Sequence, residues 1–221
     1  RVTVITMGPA AAETALQECV EMGADRGILI SDRKFAGSDT LATSYVLAEA
    51  IHRIHEEDPI DLILFGKQAI DGDTAQVGPG VAVRLGFPLI TYAVGIREIN
   101  LDERYAVVER KTEAATELIR GKLPAVLTVE KEIEDIPYAS LPDLIKSLQY
   151  QPEHWNASEP VEYDPTQLGL KGSPTWVSST GTPEKHHAGE ILDAAEKGID
   201  NTVNEVLDKM AGHSSLTSLW E

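Results

Sequence analysis

Short β-branched runs alternate with amphipathic stretches through the first half of the chain. Residues 2–7, 27–30 and 61–65 are apolar runs of strand length. The stretches between them space their apolar side chains as a helix with one buried face does. Strands that alternate with helices form a parallel sheet covered by helices on both faces. The pattern therefore predicts a mostly parallel α/β sheet within residues 1–134.

The periodicity changes after Pro88. Short alternating or β-branched runs follow one another through residues 89–94, 96–100, 105–111, 116–120 and 125–129. Turn residues lie between several of these runs. Consecutive short strands joined by turns form antiparallel ladders. We therefore expect an antiparallel extension to follow the parallel part of the sheet.

The last third of the chain has no clear core pattern. Seven of the twelve prolines come after Glu134, among polar residues, which predicts an extended arm over residues 135–187 that packs on another subunit. An amphipathic stretch at residues 188–210 predicts a helix within residues 188–221. An isolated helix cannot bury its apolar face, so we expect this helix to pack on another part of this chain or on another chain. This apolar face, which we call the seam, consists of Ile191, Leu192, Ala195, Ile199, Val203, Val206 and Leu207.

Charge and cysteine content narrow the possible partners and compartments. The chain carries 36 acidic and 19 basic side chains, a formal charge of -17, which repels nucleic acid and anionic membranes. No apolar run reaches the roughly 20 residues that a membrane-spanning helix needs, so membrane insertion is not expected. Cys19 is the single cysteine and excludes an internal disulfide. The cytoplasm is the expected compartment.

Three loops follow the predicted strands at their carboxyl ends, where open α/β sheets bind ligands. They are Met7-Gly8-Pro9, residues 31–39 and residues 66–79. The third combines glycines with polar side chains and precedes a helix whose N-terminus favours anions. It predicts a diphosphate site in a Rossmann-like sheet. The alternative, which stays open on pattern alone, is that Asp71 and Asp73 cap the helix and the glycines only turn the chain.

Other chemistries find little support. The dinucleotide fingerprint and the phosphate-loop lysine motif do not occur in the sequence. Asp71 and Asp73 lack the further spaced oxygen ligands that a calcium or magnesium site needs, so no metal is expected. No catalytic nucleophile stands in a recognisable context. Any redox chemistry must then come from a bound cofactor.

At the same positions the sequence resembles the beta subunit of electron-transferring flavoprotein, over essentially its whole length. Five stretches recur in family order: Thr6-Met-Gly-Pro9, Glu21-Met-Gly-Ala-Asp-Arg26, Phe65-Gly-Lys-Gln-Ala-Ile-Asp71, Asp73-Thr-Ala-Gln-Val-Gly-Pro79 and Leu123-Pro-Ala-Val-Leu-Thr-Val-Glu130. The resemblance implies a heterodimer in which an alpha subunit carries a flavin and the beta subunit holds an adenine nucleotide. It implies an electron carrier with no catalytic residue of its own, so that any NADH oxidation belongs to the whole complex.

The nucleotide differs between branches of that family. Ordinary members hold AMP as a structural ligand, whereas electron-bifurcating members hold a second FAD that accepts electrons from NADH. Asp32-Arg-Lys-Phe-Ala-Gly-Ser-Asp39, continued by Thr40-Leu-Ala-Thr43, resembles the bifurcating type. The two threonines lie one helical turn apart, so both hydroxyls can face a diphosphate. We therefore expect FAD, with AMP as the alternative.

The resemblance and the loop chemistry together give the expected cofactor-binding residues. They are Met7, Gly8, Asp39, Thr40, Thr43, Gly66, Gln68, Asp71, Thr74, Ala75, Gln76, Val77 and Gly78. The family begins with a strand and a loop that would precede Arg1, so further site residues are expected before this chain begins.

A docking site for a dehydrogenase is also expected. Ile136-Pro-Tyr-Ala-Ser-Leu-Pro142 resembles the loop by which the family docks on acyl-CoA dehydrogenases, with Leu141 at the anchor position. Ordinary members follow this loop with a lysine cluster, but here Lys146-Ser-Leu-Gln-Tyr-Gln151 is nearly uncharged. The partner could therefore be another flavin-containing dehydrogenase. A rival from a different class is a stand-alone nucleotide-binding signalling domain, which should be stable without a partner.

Overall fold

Eight strands form two sheets in the computed structural model, which describes residues 1–181 and 190–211. The strands are β1 Thr3–Met7, β2 Arg26–Ile30, β3 Leu62–Gly66, β4 Leu89–Asn100, β5 Tyr105–Lys111, β6 Thr116–Lys122, β7 Ala125–Val129 and β8 Glu153–Trp155. The first sheet has the order β1-β2-β8 and the second the order β3-β7-β4-β5-β6. Both pairings of the first sheet are parallel, as are β3 with β7 and β4 with β7. The predicted α/β class is confirmed.

Helices accompany the sheets. They are α1 Glu13–Glu21, α2 Thr40–Glu57, α3 Val77–Leu85, α4 Leu141–Gln149, α5 Ala194–Lys197 and α6 Ile199–Ala211. The long helix α2 contributes Val46, Ala50 and Ile51 to a core cluster that also contains Ile28 of β2 and Ile63 of β3. One helix thus packs on both sheets. This buried face accounts for the apolar stripe in the α2 sequence.

The antiparallel extension is confirmed for β4, β5 and β6, but two details of the prediction are wrong. The runs at residues 89–94 and 96–100 form the single strand β4, with register shifts between Ala93 and Gly95 and between Ile96 and Glu98. Strand β7 does not extend the ladder. It returns to lie between β3 and β4, parallel to both. Its four consecutive buried residues suit a strand that is covered on both faces.

Residues 150–173 differ from the extended arm that the sequence predicts. Strand β8 adds to β2, and Tyr150 accepts a hydrogen bond of 2.6 Å from the amide of Gly27. Isolated apolar side chains of this segment join the core around α2, namely Trp155, Ala157, Val161, Tyr163 and Leu168. They lie too far apart among polar residues to produce a periodic signal. Contact between residues 135–187 and a partner subunit stays a prediction.

The chain divides into the units Arg1–Ser178 and Ser179–Glu221. In the second unit the predicted helix is shorter and interrupted. Residues 190–193 are not helical, and α5 ends at Lys197, before Gly198, whose φ of 80° lies in the left-handed region. Residues 188–189 of the prediction lie outside the described residues. Ile199 and Leu207 of the predicted seam are exposed on α6.

The helices in residues 1–181 and 190–211 include none that is long and apolar enough to cross a membrane.

Candidate functional site

The loop at residues 66–79 leaves the carboxyl end of β3 and turns sharply into α3. Asp73 and Ala75 have φ angles of 52° and 54°, in the left-handed region. Aspartate adopts this conformation more readily than most residues, whereas alanine rarely does. Gln76, which follows Ala75, is right-handed. Adjacent residues with left- and right-handed backbone turn their amide groups toward one concave surface. The loop therefore has the form of an anion-binding turn at residues 75–76.

The amides of residues 74–78 are free donors. Within the part of the chain that the structure describes, none of them donates a hydrogen bond to another residue. The first amide of α3 with a partner is that of Gly80, which donates to Gln76 O at 2.9 Å. The side chain of Gln76, at the N-cap, makes no capping hydrogen bond. Unpaired donors at a helix N-terminus attract anions. Phosphate oxygens are suitable acceptors for this group of amides.

Two glycines set the position of α3. A Cβ atom on Gly78 would lie 2.8 Å from Thr128 Cγ2, and one on Gly80 would lie 2.8 Å from Ser44 Oγ. The start of α3 therefore packs directly on β7 and α2, with no room for a side chain. The sequence assigns Gly78 to close approach of a ligand. The structure gives it a packing role as well, because it fixes where the free amides point.

Helix α2 brings a predicted threonine to this loop. Thr40 Oγ1 donates a hydrogen bond of 3.0 Å to Gln76 Oε1, across 36 residues of sequence. Thr43 lies one turn further along α2 and is half-buried. The structure thus joins the two predicted parts of the site, the start of α2 and the loop at residues 66–79.

Asp39 caps α2 and uses both of its carboxylate oxygens. Oδ1 accepts hydrogen bonds from the amides of Leu41 at 2.9 Å and Ala42 at 3.1 Å. Oδ2 accepts from the amide of Thr175 at 3.1 Å and from its hydroxyl at 2.8 Å. Burial raises the pKa of Asp39, but these hydrogen bonds together hold the pKa below its ordinary value. The group is therefore a fully bonded carboxylate at neutral pH.

The two helix N-termini consequently differ. The amide of Thr43 donates to Asp39 O at 2.9 Å, so the amides of residues 41–43 in α2 all have partners in Asp39. An anion near α2 would therefore meet the hydroxyls of Thr40 and Thr43, whereas an anion near α3 would meet backbone amides. The start of α2 thus offers hydroxyl donors and the start of α3 offers amide donors, and both kinds bind anionic oxygens.

The other predicted residues of the loop make fewer contacts with the rest of the site. The side-chain amide of Gln68 donates to the carboxylate of Asp73. Asp71 and Gly66 are exposed. Their contact with a ligand stays a prediction.

Met7 and Gly8 lie at the carboxyl end of β1. The amide of Gly8 donates to Ile30 O at 3.1 Å, which ties β1 to β2. Among the described residues, no hydrogen bond links either residue to the loop at residues 66–79. The structure therefore places them on the first sheet, and their role in the site stays a prediction.

Sequence reasoning missed a charged cluster at the carboxyl ends of β3 and β7. Lys67 Nζ lies 3.1 Å from Glu130 Oε1 and 5.4 Å from the centre of the Tyr92 ring. The hydrogen bond with Glu130 raises the pKa of Lys67. Tyr92 has a φ of 57°, which is rare for a bulky residue, and its amide donates to Thr128 Oγ1 at 3.1 Å. Lys67 and Glu130 each follow a strand directly, and that signal was available in the sequence.

Leu141 occupies a different surface. It is the first residue of α4, directly after the N-cap Ser140, whose hydroxyl oxygen accepts from the amide of Asp143. Its side chain is 69% exposed, and Leu148 on the same helix is 73% exposed. The predicted anchor thus lies in the first turn of a helix and is accessible.

Within the described residues, no group of three or more histidine, cysteine or acidic side chains could hold a metal ion.

Comparisons with known proteins point to one family. The family model described as "Electron transfer flavoprotein domain" matches residues 1–157. Protein FixA of Azotobacter vinelandii is 41% identical over 210 residues, which are 95% of this chain and 75% of that protein. The electron transfer flavoprotein subunit beta of Thermoanaerobacterium thermosaccharolyticum is 40% identical over 93% of this chain and 77% of its own length. The caffeyl-CoA reductase-Etf complex subunit CarD of Acetobacterium woodii is 40% identical, over 93% and 73%.

Proposed function

This chain belongs to the electron transfer flavoprotein family, as a beta-type subunit, and from that premise we propose that it binds FAD at the loop of residues 66–79. In this proposal the chain takes part in passing electrons between NADH, a flavin on an alpha subunit and a partner dehydrogenase. It works only within that complex, and its own side chains bind and orient the cofactor.

One observation carries the proposal. The free amides of residues 74–78 lie at the start of α3, and the Thr40 hydroxyl reaches the same place through Gln76. A diphosphate needs several donors on one side and no uncompensated carboxylate nearby. Asp39, at the start of α2, has both carboxylate oxygens engaged by other residues, and the Asp73 carboxylate accepts a hydrogen bond from Gln68. The donor set therefore fits a nucleotide diphosphate.

Each part of the site has a distinct task in this proposal. The amides of residues 74–78 hold the diphosphate, and the hydroxyls of Thr40 and Thr43 bind its oxygens from the side of α2. A hydroxyl has one hydrogen to donate, so on binding the Thr40 hydroxyl turns from Gln76 to the phosphate. Gly78 and Gly80 keep α3 close enough to β7 and α2 for both sets of donors to act together. When bound, the flavin supplies the electron-accepting group, since cofactor enzymes leave the redox step to the cofactor.

The choice of FAD over AMP rests on the segment at residues 32–43, which resembles the electron-bifurcating type. Thr40 and Thr43 provide the hydroxyls that this assignment uses, and the contact of Thr40 with Gln76 brings that segment to the loop. The name of the Acetobacterium relative links it to a caffeyl-CoA reductase. It supports a dehydrogenase that acts on a CoA ester as the partner of this chain.

The test is to purify this chain with a co-expressed alpha subunit and count the bound nucleotides. We expect two flavins per heterodimer, and release of FAD from the beta-type subunit on denaturation, measured by absorbance. One flavin together with one AMP would contradict the FAD assignment and leave the ordinary carrier in its place. If the chain alone proved soluble, monomeric and fully stable, the stand-alone signalling domain would replace the heterodimer.

A further inference from the structure

A segment far along the chain holds the start of α2 in place. Residues 169–175, which we call the strap, reach Asp39 across 136 residues of sequence. Thr175 gives the Asp39 carboxylate two hydrogen bonds, from its amide at 3.1 Å and its hydroxyl at 2.8 Å. Ser173 Oγ accepts a hydrogen bond of 2.8 Å from the amide of Asp39. The N-cap residue of α2 is therefore bonded to the strap through both its backbone and its side chain.

The strap lies on the segment before α2 at very close range. Gly169, with a φ of 52°, could not carry a Cβ atom because that atom would lie 2.5 Å from Lys34 O. Gly37, with a φ of 75°, would place its Cβ atom 2.7 Å from Leu170 Cδ2. The hydroxyl of Ser173 also donates to Gly169 O at 2.7 Å, inside the strap. The strap therefore lies in direct contact with the residues before α2 at Gly169 and Leu170.

The preceding residues fasten the same region to α2. Tyr163 is buried and stands edge-on to Phe35 and Tyr45, with ring centres 5.5 Å and 6.2 Å away. The amide of Asp164 donates to the Tyr45 hydroxyl at 2.9 Å. The segment that leads into the strap thus packs on α2 at Tyr45, in the same half of the helix as Thr40.

From these contacts we propose that Ser173 and Thr175 are positioning residues for the nucleotide site, holding Asp39 so that its carboxylate faces the strap and the Thr40 and Thr43 hydroxyls face the ligand. The inference rests on the nucleotide site proposed above. Without the Thr175 hydroxyl, Oδ2 of Asp39 keeps only the backbone amide of residue 175 as a partner. A carboxylate free to turn toward solvent would add like charge beside a diphosphate and weaken its binding.

This coupling must act in both directions. If the strap improves nucleotide binding, a bound nucleotide must stabilise the strap by the same factor, because linkage is reciprocal. The amides of Asp39 and Thr175, which are hydrogen-bonded across the contact, should then exchange their hydrogens more slowly when FAD is present. A strap with a purely structural role would show no such response.

The experiment uses the heterodimer after its nucleotide has been removed, and measures FAD binding by calorimetry. We expect Thr175→Val to weaken FAD binding by about five- to tenfold, since one hydroxyl hydrogen bond is lost. Thr175→Ser keeps the hydroxyl and should stay within about twofold of the wild type. In the wild type, hydrogen exchange at Asp39 and Thr175 should slow on addition of FAD, while the amides of β6 stay unchanged.

Three results would overturn the positioning role alone. The first is an FAD affinity of Thr175→Val within about twofold of that of a wild type that binds FAD. The second is unchanged hydrogen exchange at Asp39 and Thr175 when FAD is added to that wild type. Equal loss in Thr175→Ser and Thr175→Val would also overturn it, because packing and not the hydroxyl would then be responsible. A wild-type complex that binds no nucleotide in this subunit would instead remove the proposed function, and this inference with it.

Discussion

The hydroxyl of Thr40 donates a 3.0 Å hydrogen bond to the side-chain oxygen of Gln76. The first residue is the start of α2 and the second is the N-cap of α3. This contact joins two helix N-termini that offer different donors, hydroxyls on α2 and free amides before α3. A ligand that binds both must be large enough to span them and must carry several acceptor oxygens, as a nucleotide diphosphate does.

Removal of both hydroxyls on α2 tests that arrangement. The double variant Thr40→Val and Thr43→Val keeps the shape of the side chains but removes two donors. At roughly 1 kcal/mol for each lost hydrogen bond, FAD binding should weaken by at least tenfold. Calorimetric titration of the emptied heterodimer measures the affinity, and the flavin of the alpha subunit should stay bound.

Thr14→Val is the matched control, since Thr14 is exposed on α1. It should leave FAD affinity unchanged. Two tightly bound flavins per heterodimer in the double variant would remove the role that we assign to the hydroxyls of α2.

Gly78→Ala tests whether α3 must lie against β7. The added Cβ atom would lie 2.8 Å from Thr128 Cγ2 and 3.2 Å from Phe65 Cβ, both in packed structure. Overpacking of this kind costs about 1–3 kcal/mol, so we expect the melting temperature to fall by about 3 °C or more. FAD binding should weaken as well, because the free amides move with the helix.

Gly72→Ala provides the comparison for that variant. A Cβ atom on Gly72 would have no neighbour within 4 Å, and its φ is not in the left-handed region. The melting temperature should stay that of the wild type. Equal stability of the Gly78 and Gly72 variants would mean that α3 shifts easily, and that its position is not fixed by this contact.

Local patterns predicted the parts of this fold that depend on neighbouring residues. The stripe on α2 predicted a buried helix, and the glycines and polar side chains of residues 66–79 predicted the loop that holds the free amides. The order of the strands within the sheets could not be predicted from local sequence. The buried run of β7 is typical of a strand covered on both faces, but nothing in its sequence says that it returns between β3 and β4.

Long-range contacts could not be read from the chain. Asp39 was expected to bind the cofactor, yet its carboxylate is engaged by Thr175, 136 residues away. Nothing near either residue indicates that pairing. Tyr92 is a similar case, since its left-handed φ of 57° arises within the irregular part of β4. Aromatic residues seldom adopt that conformation, so a local rule predicts the opposite.

The acid stability of the first sheet should depend on Glu153. Arg26 donates to both carboxylate oxygens of Glu153 at 2.7 Å, and this pair joins β2 to β8. The hydrogen bond from Arg26 lowers the pKa of Glu153 below its ordinary value of 4.5. A lowered pKa means that the stabilisation is present above pH 4.5 and is lost as the pH falls through the lower, folded-state pKa.

Glu153→Gln should therefore destabilise the protein at neutral pH and flatten the loss of stability below about pH 4.5. The Glu153 side chain is 46% exposed, and solvent screening limits the effect to about 1 kcal/mol or less. Urea unfolding at a series of pH values measures it. Glu113→Gln, in the exposed connection between β5 and β6, is the control. Identical pH profiles for the Glu153 variant and the wild type would show that the pair contributes nothing to stability.

Leu141 should anchor a partner dehydrogenase. Its side chain is 69% exposed in the first turn of α4, and an exposed leucine that fills a pocket on a partner contributes about 2 kcal/mol or more. Leu141→Ala should therefore weaken binding of the dehydrogenase by roughly 30-fold, as measured by surface plasmon resonance. Folding and flavin content should not change, because the side chain makes little contact within this chain. Leu118→Ala is the control, since Leu118 is 68% exposed on the edge strand β6. If both variants bound the dehydrogenase as the wild type does, α4 would not be the docking surface.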